Sequence, residues 1–201
     1  MPLQSTAQEA NTARQEQPAE PLARQAPEPP KTYCTFCRNL QQDDVNRIHH
    51  DHVHGFAVTD DNELFGRLLM EINQAGLSWT TILRKQDNLR RAYDGYCIRK
   101  VAAYGDKERQ RLLSDAGIIR NRLKIDAAIY NAGVIVELQE AFGSFKHWLD
   151  QQHPKPLEAW VRLFKQNFRF TGKEIVNEFL MSTGYLPGAH TEDCPVYGQV
   201  I

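Results

Sequence analysis

Met70-Glu71-Ile72-Asn73-Gln74-Ala75-Gly76-Leu77-Ser78-Trp79 packs a helix end, a tight turn and a second helix start into ten residues. Leu64, Leu68, Leu69 and Ile72 recur at helical spacing ahead of the turn, and Gly76 suits the left-handed position that closes a helix. Ser78 can cap the next helix, whose Trp79, Ile82 and Leu83 point inward. Glu71 therefore falls in the last turn of the first helix, where the helix dipole disfavours a negative charge. An acid held at an unfavourable helix end, with an indole just past the corner, marks a pocket.

The helical pattern extends from this corner through almost all of the chain after Asp61. The spacing predicts helices near 62–75, 79–92, 98–103, 106–115, 121–139, 144–151, 155–166 and 172–183, separated by Gly95, Gly105, Gly117, Gly143, Pro154 and Gly184. No alternating segment is long enough to anchor a sheet. The expected class is all-α and globular rather than a simple bundle. Residues 1–32 hold six of the ten prolines and no apolar periodicity, which predicts a disordered tail ahead of a single domain over 33–201. Neither a secretory leader nor an apolar run of the roughly 18 residues that a membrane span needs is present, so the expectation is a soluble, cytoplasmic monomer without membrane contact.

Charge excludes little. The 24 basic residues nearly match the 25 acidic ones, although 12 Lys and Arg lie between Arg84 and Lys124 against five acids. Such a stretch either tracks phosphates or solvates helix faces.

Cysteine and histidine carry the second signal. Cys34 and Cys37 form a C-x-x-C, His49, His50, His52 and His54 follow, and His190 and Cys194 make an H-x-x-x-C near the other end. Thiolates and imidazoles in two short loops fit one structural, tetrahedral Zn2+ that staples the two ends together. Two ligand sets compete. Spacing favours Cys34, Cys37, His190 and Cys194; the other set is Cys37, His50, His190 and Cys194. Cys97, alone in helical context, reads as a buried apolar side chain.

With these residues in view, the chain resembles the 3-methyladenine DNA glycosylase I family of the helix-hairpin-helix glycosylase superfamily. The resemblance runs from about Cys37 to Cys194. It rests on Glu71 with Gln74-Ala75-Gly76-Leu77-Ser78-Trp79, on Asp115-Ala116-Gly117-Ile118-Ile119-Arg120-Asn121-Arg122-Leu123-Lys124-Ile125, and on a cysteine thirteen residues before His50-Asp51. It implies Cys37, His50, His190 and Cys194 as zinc ligands. It also implies a hairpin at Phe168–Ile175 that offers backbone amides to a phosphate of double-stranded DNA, with Arg169, Thr171, Gly172 and Lys173 as the DNA-binding residues. The implied activity is monofunctional excision of alkylated purines, above all 3-methyladenine, after base flipping. Glu71 would be the catalytic carboxylate, and Trp79 would stack on the flipped base.

The chain departs from that pattern in its aromatic cage. His49 stands where the family has a tyrosine, and His54 where it has Trp or Tyr before the glycine. If both line the pocket, protonation would repel a cationic base, and excision would fall below about pH 6.5. A non-catalytic zinc-stabilised DNA-binding protein, or a glycosylase for another lesion, are the alternative readings.

Overall fold

A computed structural model describes residues 32–200. The tail expected over residues 1–32 lies outside the described residues except for Thr32, whose hydroxyl accepts from the Thr35 amide and caps the first helix. Among the described residues there is no strand, and eleven α-helices follow one another with short connections. None is long and apolar enough to cross a membrane.

At the centre lies α3 (Asp61–Gln74), started by Asp60 accepting from the Glu63 amide and buried along Leu64, Phe65, Leu68, Leu69 and Ile72. Gly76, at φ +82, turns the chain after it. Ser78 then accepts from the Thr81 amide and starts α4 (Trp79–Leu83). The helix expected over 79–92 breaks at Arg84 and Lys85, and α5 (Gln86–Ala92) follows. No Gly or Pro marks that break. Instead the Lys85 ammonium donates to the carbonyls of Ala116 and Gly117, a contact distant in sequence.

Next come α6 (Ile98–Ala102), α7 (Asp106–Ser114) and the long α8 (Arg122–Phe142). Lys124 on α8 reaches across to the end of α3, where its Nζ donates to Asn73 O at 2.8 Å and Ala75 O at 2.7 Å. A cation thus satisfies the unpaired carbonyls of the helix that carries Glu71. Asp61, at the other end of α3, accepts from the amides of Phe145 and Lys146 and so caps α9 (Phe145–Gln152). Trp148, Trp160, Phe164, Phe168 and Phe179 form an aromatic core beneath α10 (Leu157–Asn167) and α11 (Lys173–Ser182).

Two short helices were expected as loops. They are α1 (Tyr33–Arg38), carrying the C-x-x-C, and α2 (Val45–His52), started by Asp44 accepting from the Asn46 amide. Their sequences are too short and polar for helical periodicity to be read, so capping and tertiary contacts decide the conformation. The basic run over 84–124 is largely engaged as well. Arg90 pairs with Glu63, Arg109 with Asp106 and Asp126, and Lys124 is buried.

Candidate active site and metal centre

Glu71 and Trp79 line one cavity of about 390 Å³, together with Tyr33, Cys34, His54, Gln74, Glu178 and Met181 among others. The α3–α4 corner sets this up. The turn at Gly76 reverses the chain so that the last turn of α3 and the first residue of α4 look into the same space. Glu71 is only 5 % exposed, and burial, with Glu178 nearby, pushes its carboxyl up to about 8. Arg67 is spaced to pair with it, but its guanidinium goes instead to Glu63 and to the Val53 carbonyl. Among the described residues no cation pairs with Glu71.

The two histidines divide. His54 lines the cavity, whereas His49, expected to contact the base, stands behind Trp79 and is not part of the wall. The Trp79 indole N–H donates to His49 Nδ1 at 3.4 Å, with the two rings edge to face. His49 therefore orients the indole. Burial pushes His49 down to about 2 and His54 down to about 4, so both rings stay neutral at physiological pH. Neutral rings do not repel a cationic base, so the expected loss of excision would begin well below about pH 6.5.

Tyr33 is the aromatic wall that sequence reasoning missed. Its hydroxyl donates to Asn46 O at 3.0 Å and lies 3.2 Å from His49 Nδ1, and its ring meets His54 edge to face at 5.4 Å. The only sequence signal was its place next to Cys34, in a stretch read as the start of a loop. Glu178, in the second half of α11, was missed for a plainer reason: an acid on an amphipathic helix carries no motif.

Behind the cavity, Cys34, His50, His190 and Cys194 bring four buried ligand atoms within 4.8 Å of one another. This cluster differs from both expected sets. Spacing had included Cys34 and omitted His50; the resemblance had included His50 and chosen Cys37. Cys37 stays outside the cluster, and its fully buried thiol donates toward Asn46 O at 3.5 Å. The donor distances suit one metal. His190 Nδ1 to His50 Nε2 is 3.2 Å, Cys194 Sγ lies 3.5 and 3.6 Å from those nitrogens, and Cys34 Sγ is 3.7 Å from His190. Ligands of a tetrahedral zinc, about 2.3 Å out for sulfur and about 2.0 Å for nitrogen, stand about 3.3–3.8 Å apart. Each imidazole is also oriented from its far side: His50 Nδ1 lies 2.7 Å from Asp51 Oδ1, and His190 Nε2 lies 2.8 Å from the His54 carbonyl. Gly55, at φ +86, allows the approach. A Cβ there would come within 2.7 Å of Ala189 on the segment that carries His190.

A groove of about 630 Å³ shares Glu71, Gln74 and Glu178 with the cavity and runs between two rims. One rim is the corner from Ala75 to Ser78, with Leu77 41 % exposed; the other is Gly172, Lys173, Glu174 and Ile175. The second rim is the hairpin between α10 and α11. Phe170 holds it in a left-handed conformation at φ +61, and Asn131 braces it by accepting from the Arg169 amide and donating to the Arg169 carbonyl. The amides that open α11 have no acceptor within the helix. Of the residues expected to meet DNA, Gly172 and Lys173 face the groove. Arg169 lies over the Tyr130 ring at 3.8 Å, and the Thr171 hydroxyl turns inward to the carbonyls of Phe164 and Phe168. Thr171 thus shapes the turn and leaves only its backbone for an anion.

Comparison with known proteins finds one family throughout. The family profile described as methyladenine glycosylase matches residues 39–197. DNA-3-methyladenine glycosylase 1 of Escherichia coli (strain K12) is 32 % identical, covering 80 % of this chain and 96 % of that protein. The DNA-3-methyladenine glycosylase of Haemophilus influenzae is 27 % identical over 80 % of this chain and 97 % of its own. Among solved structures, 3-methyladenine DNA glycosylase I from Staphylococcus aureus superposes with a TM-score of 0.72 at 30 % identity, covering 82 % of this chain and 97 % of that one.

Proposed function

This chain belongs to the methyladenine glycosylase family, and from that premise we propose that it excises alkylated purines, 3-methyladenine first among them, from double-stranded DNA. One observation carries the reading: a buried, unpaired carboxyl and an indole line the same cavity, which opens onto a groove rimmed by a helix N-terminus. A phosphate held at the amides of Gly172 to Ile175 would place the strand along the groove, within reach for a nucleotide to swing inward.

The cavity's chemistry suits a cationic base. Trp79 supplies an aromatic face for stacking, a contact of about 0.5–2 kcal/mol with a cation. Glu71, once ionised, accepts a hydrogen bond from the base and complements its charge. In the reaction the glycosidic bond breaks, its electron pair neutralises the departing purine, and water adds hydroxide to the anomeric carbon while its proton leaves to solvent. Because N3-methylation already weakens the bond, the protein's work is selection, positioning and stabilisation of charge developing on the sugar. Among the described residues no lysine lines the cavity as a nucleophile for strand cleavage, and Lys173 faces the groove at the proposed phosphate site.

The four-ligand cluster supports one structural Zn2+ held by Cys34, His50, His190 and Cys194, with no open coordination position. Zinc there would supply cross-linking, not chemistry. The protein would act as a monomer.

Mass-spectrometric identification of bases released from methylated duplex DNA tests the reading. Free 3-methyladenine is expected from the wild type, with a loss of two orders of magnitude or so in Glu71→Gln. Binding of methylated DNA with no base released would reassign the chain to a non-catalytic scaffold.

A further inference from the structure

Glu178 has no role in the reading so far. It projects from α11 into both the cavity and the groove, across from Glu71 on α3. Its one hydrogen bond is a long contact from Asn177 Nδ2 at 3.5 Å, and among the described residues no cation pairs with it. Burial pushes its carboxyl above the ordinary range, and its charge in turn helps to raise Glu71. Two acids that could each have been paired are left facing one small space walled by an indole, a phenol and a neutral imidazole. Ionising both acids in the empty cavity is costly, because like charges in a low-dielectric space repel. A cationic occupant relieves both at once. A neutral purine can satisfy their hydrogen bonds but not their charge.

We propose that Glu178 is a specificity-determining residue: with Glu71 it makes the base site a two-carboxylate receptor that favours purines carrying a fixed positive charge over neutral ones. This rests on the cavity being the base site. The buried, unpartnered Glu71 carboxyl aimed into the same space is the independent sign that the second acid faces a ligand rather than solvent.

Calorimetric titration near pH 8 with two small probes tests it. One is 3,9-dimethyladeninium, which is permanently cationic; the other is free 3-methyladenine, which is uncharged there. Glu178→Gln is expected to weaken the cation about tenfold while changing the neutral base less than twofold. Glu140→Gln, on the exposed side of α8, should change neither. Equal losses for both probes, or no loss for either, would overturn the role of Glu178 and leave the base site standing. If the wild type binds neither probe, the base site and this role fall together.

Discussion

Glu71 is the side chain on which burial and chemistry pull in opposite directions. To hold a cationic base it must be ionised, yet burial and the neighbouring Glu178 keep its proton on up to about pH 8. Its ordinary value is 4.5, so the folded protein binds a proton that the unfolded chain has already released throughout the window between the two. Stability from this group is therefore complete below about pH 4.5 and declines by about 1.4 kcal/mol per pH unit until pH 8, where the decline ends. Glu71→Gln keeps the shape and removes the titration. The variant should melt close to the wild type near pH 4.5 and progressively above it toward pH 8, while excision is lost throughout. Melting curves by scanning fluorimetry across that range decide it; a constant gap between the two proteins would mean that Glu71 is ionised in the empty cavity. Activity has the opposite slope, since base capture improves as Glu71 ionises. The histidines, held neutral, do not repel the base over this range; the unfolded chain protonates them below about pH 6.5, so they lower stability toward acid in wild type and variant alike and leave the gap between the two to Glu71.

The hairpin joining α10 and α11 offers a cleaner separation of folding from binding than any side chain does. Gly172 precedes α11 at φ −71, a conformation open to any residue, and a Cβ built there meets no atom within 4 Å. Alanine at this position should leave the melting temperature within a degree or two of the wild type. Outside the protein that methyl group would occupy the approach to the free amides, where the proposed phosphate sits. Gly172→Ala should thus weaken binding to duplex DNA roughly tenfold or more, measured by fluorescence anisotropy, and leave binding of free 3-methyladenine unchanged. Undiminished DNA affinity would remove the hairpin from the interface. This element was not marked by its own turn residues and was expected only from the resemblance, whereas Gly76 and Ser78 made the α3–α4 corner legible in the sequence itself. What escaped was set by distant contacts. The break at Arg84 and Lys85 answers to carbonyls more than thirty residues away, and Thr171 looks like a ligand-facing residue until its hydroxyl is seen to bond the turn itself. The choice between Cys34 and Cys37 escaped on the same ground: three residues apart on one face of α1, the two thiols differ only in their tertiary contacts.

The cavity is assembled from two parts of the molecule held by different forces. Glu71, Gln74, Trp79, Glu178 and Met181 come from α3, α4 and α11, which are bedded in the main apolar core. Tyr33, Cys34, His54, Ala189 and Thr191 come from the two chain ends, where the small cluster of Cys34, Cys194, Val196, Phe56 and Val200 is too slight to hold them alone. The four-ligand centre ties α1, α2 and the C-terminal segment to one another, so a bound zinc would hold together the half of the cavity that the chain ends supply. Its removal should therefore open the site without melting the core. On treatment with a strong chelator, far-ultraviolet circular dichroism should change little, amide exchange should rise over residues 33–54 and 186–200 but not in α3, α8 or α11, and affinity for 3-methyladenine should fall. Cys34→Ser should reproduce this and lose its zinc by elemental analysis, whereas Cys37→Ser should retain one equivalent of metal and most of its affinity. Zinc kept by the Cys34 variant and lost by the Cys37 variant would restore the ligand set that the resemblance implied. Exchange rising equally in α3 and α11 would mean that the whole core, and not half of one cavity, depends on the metal.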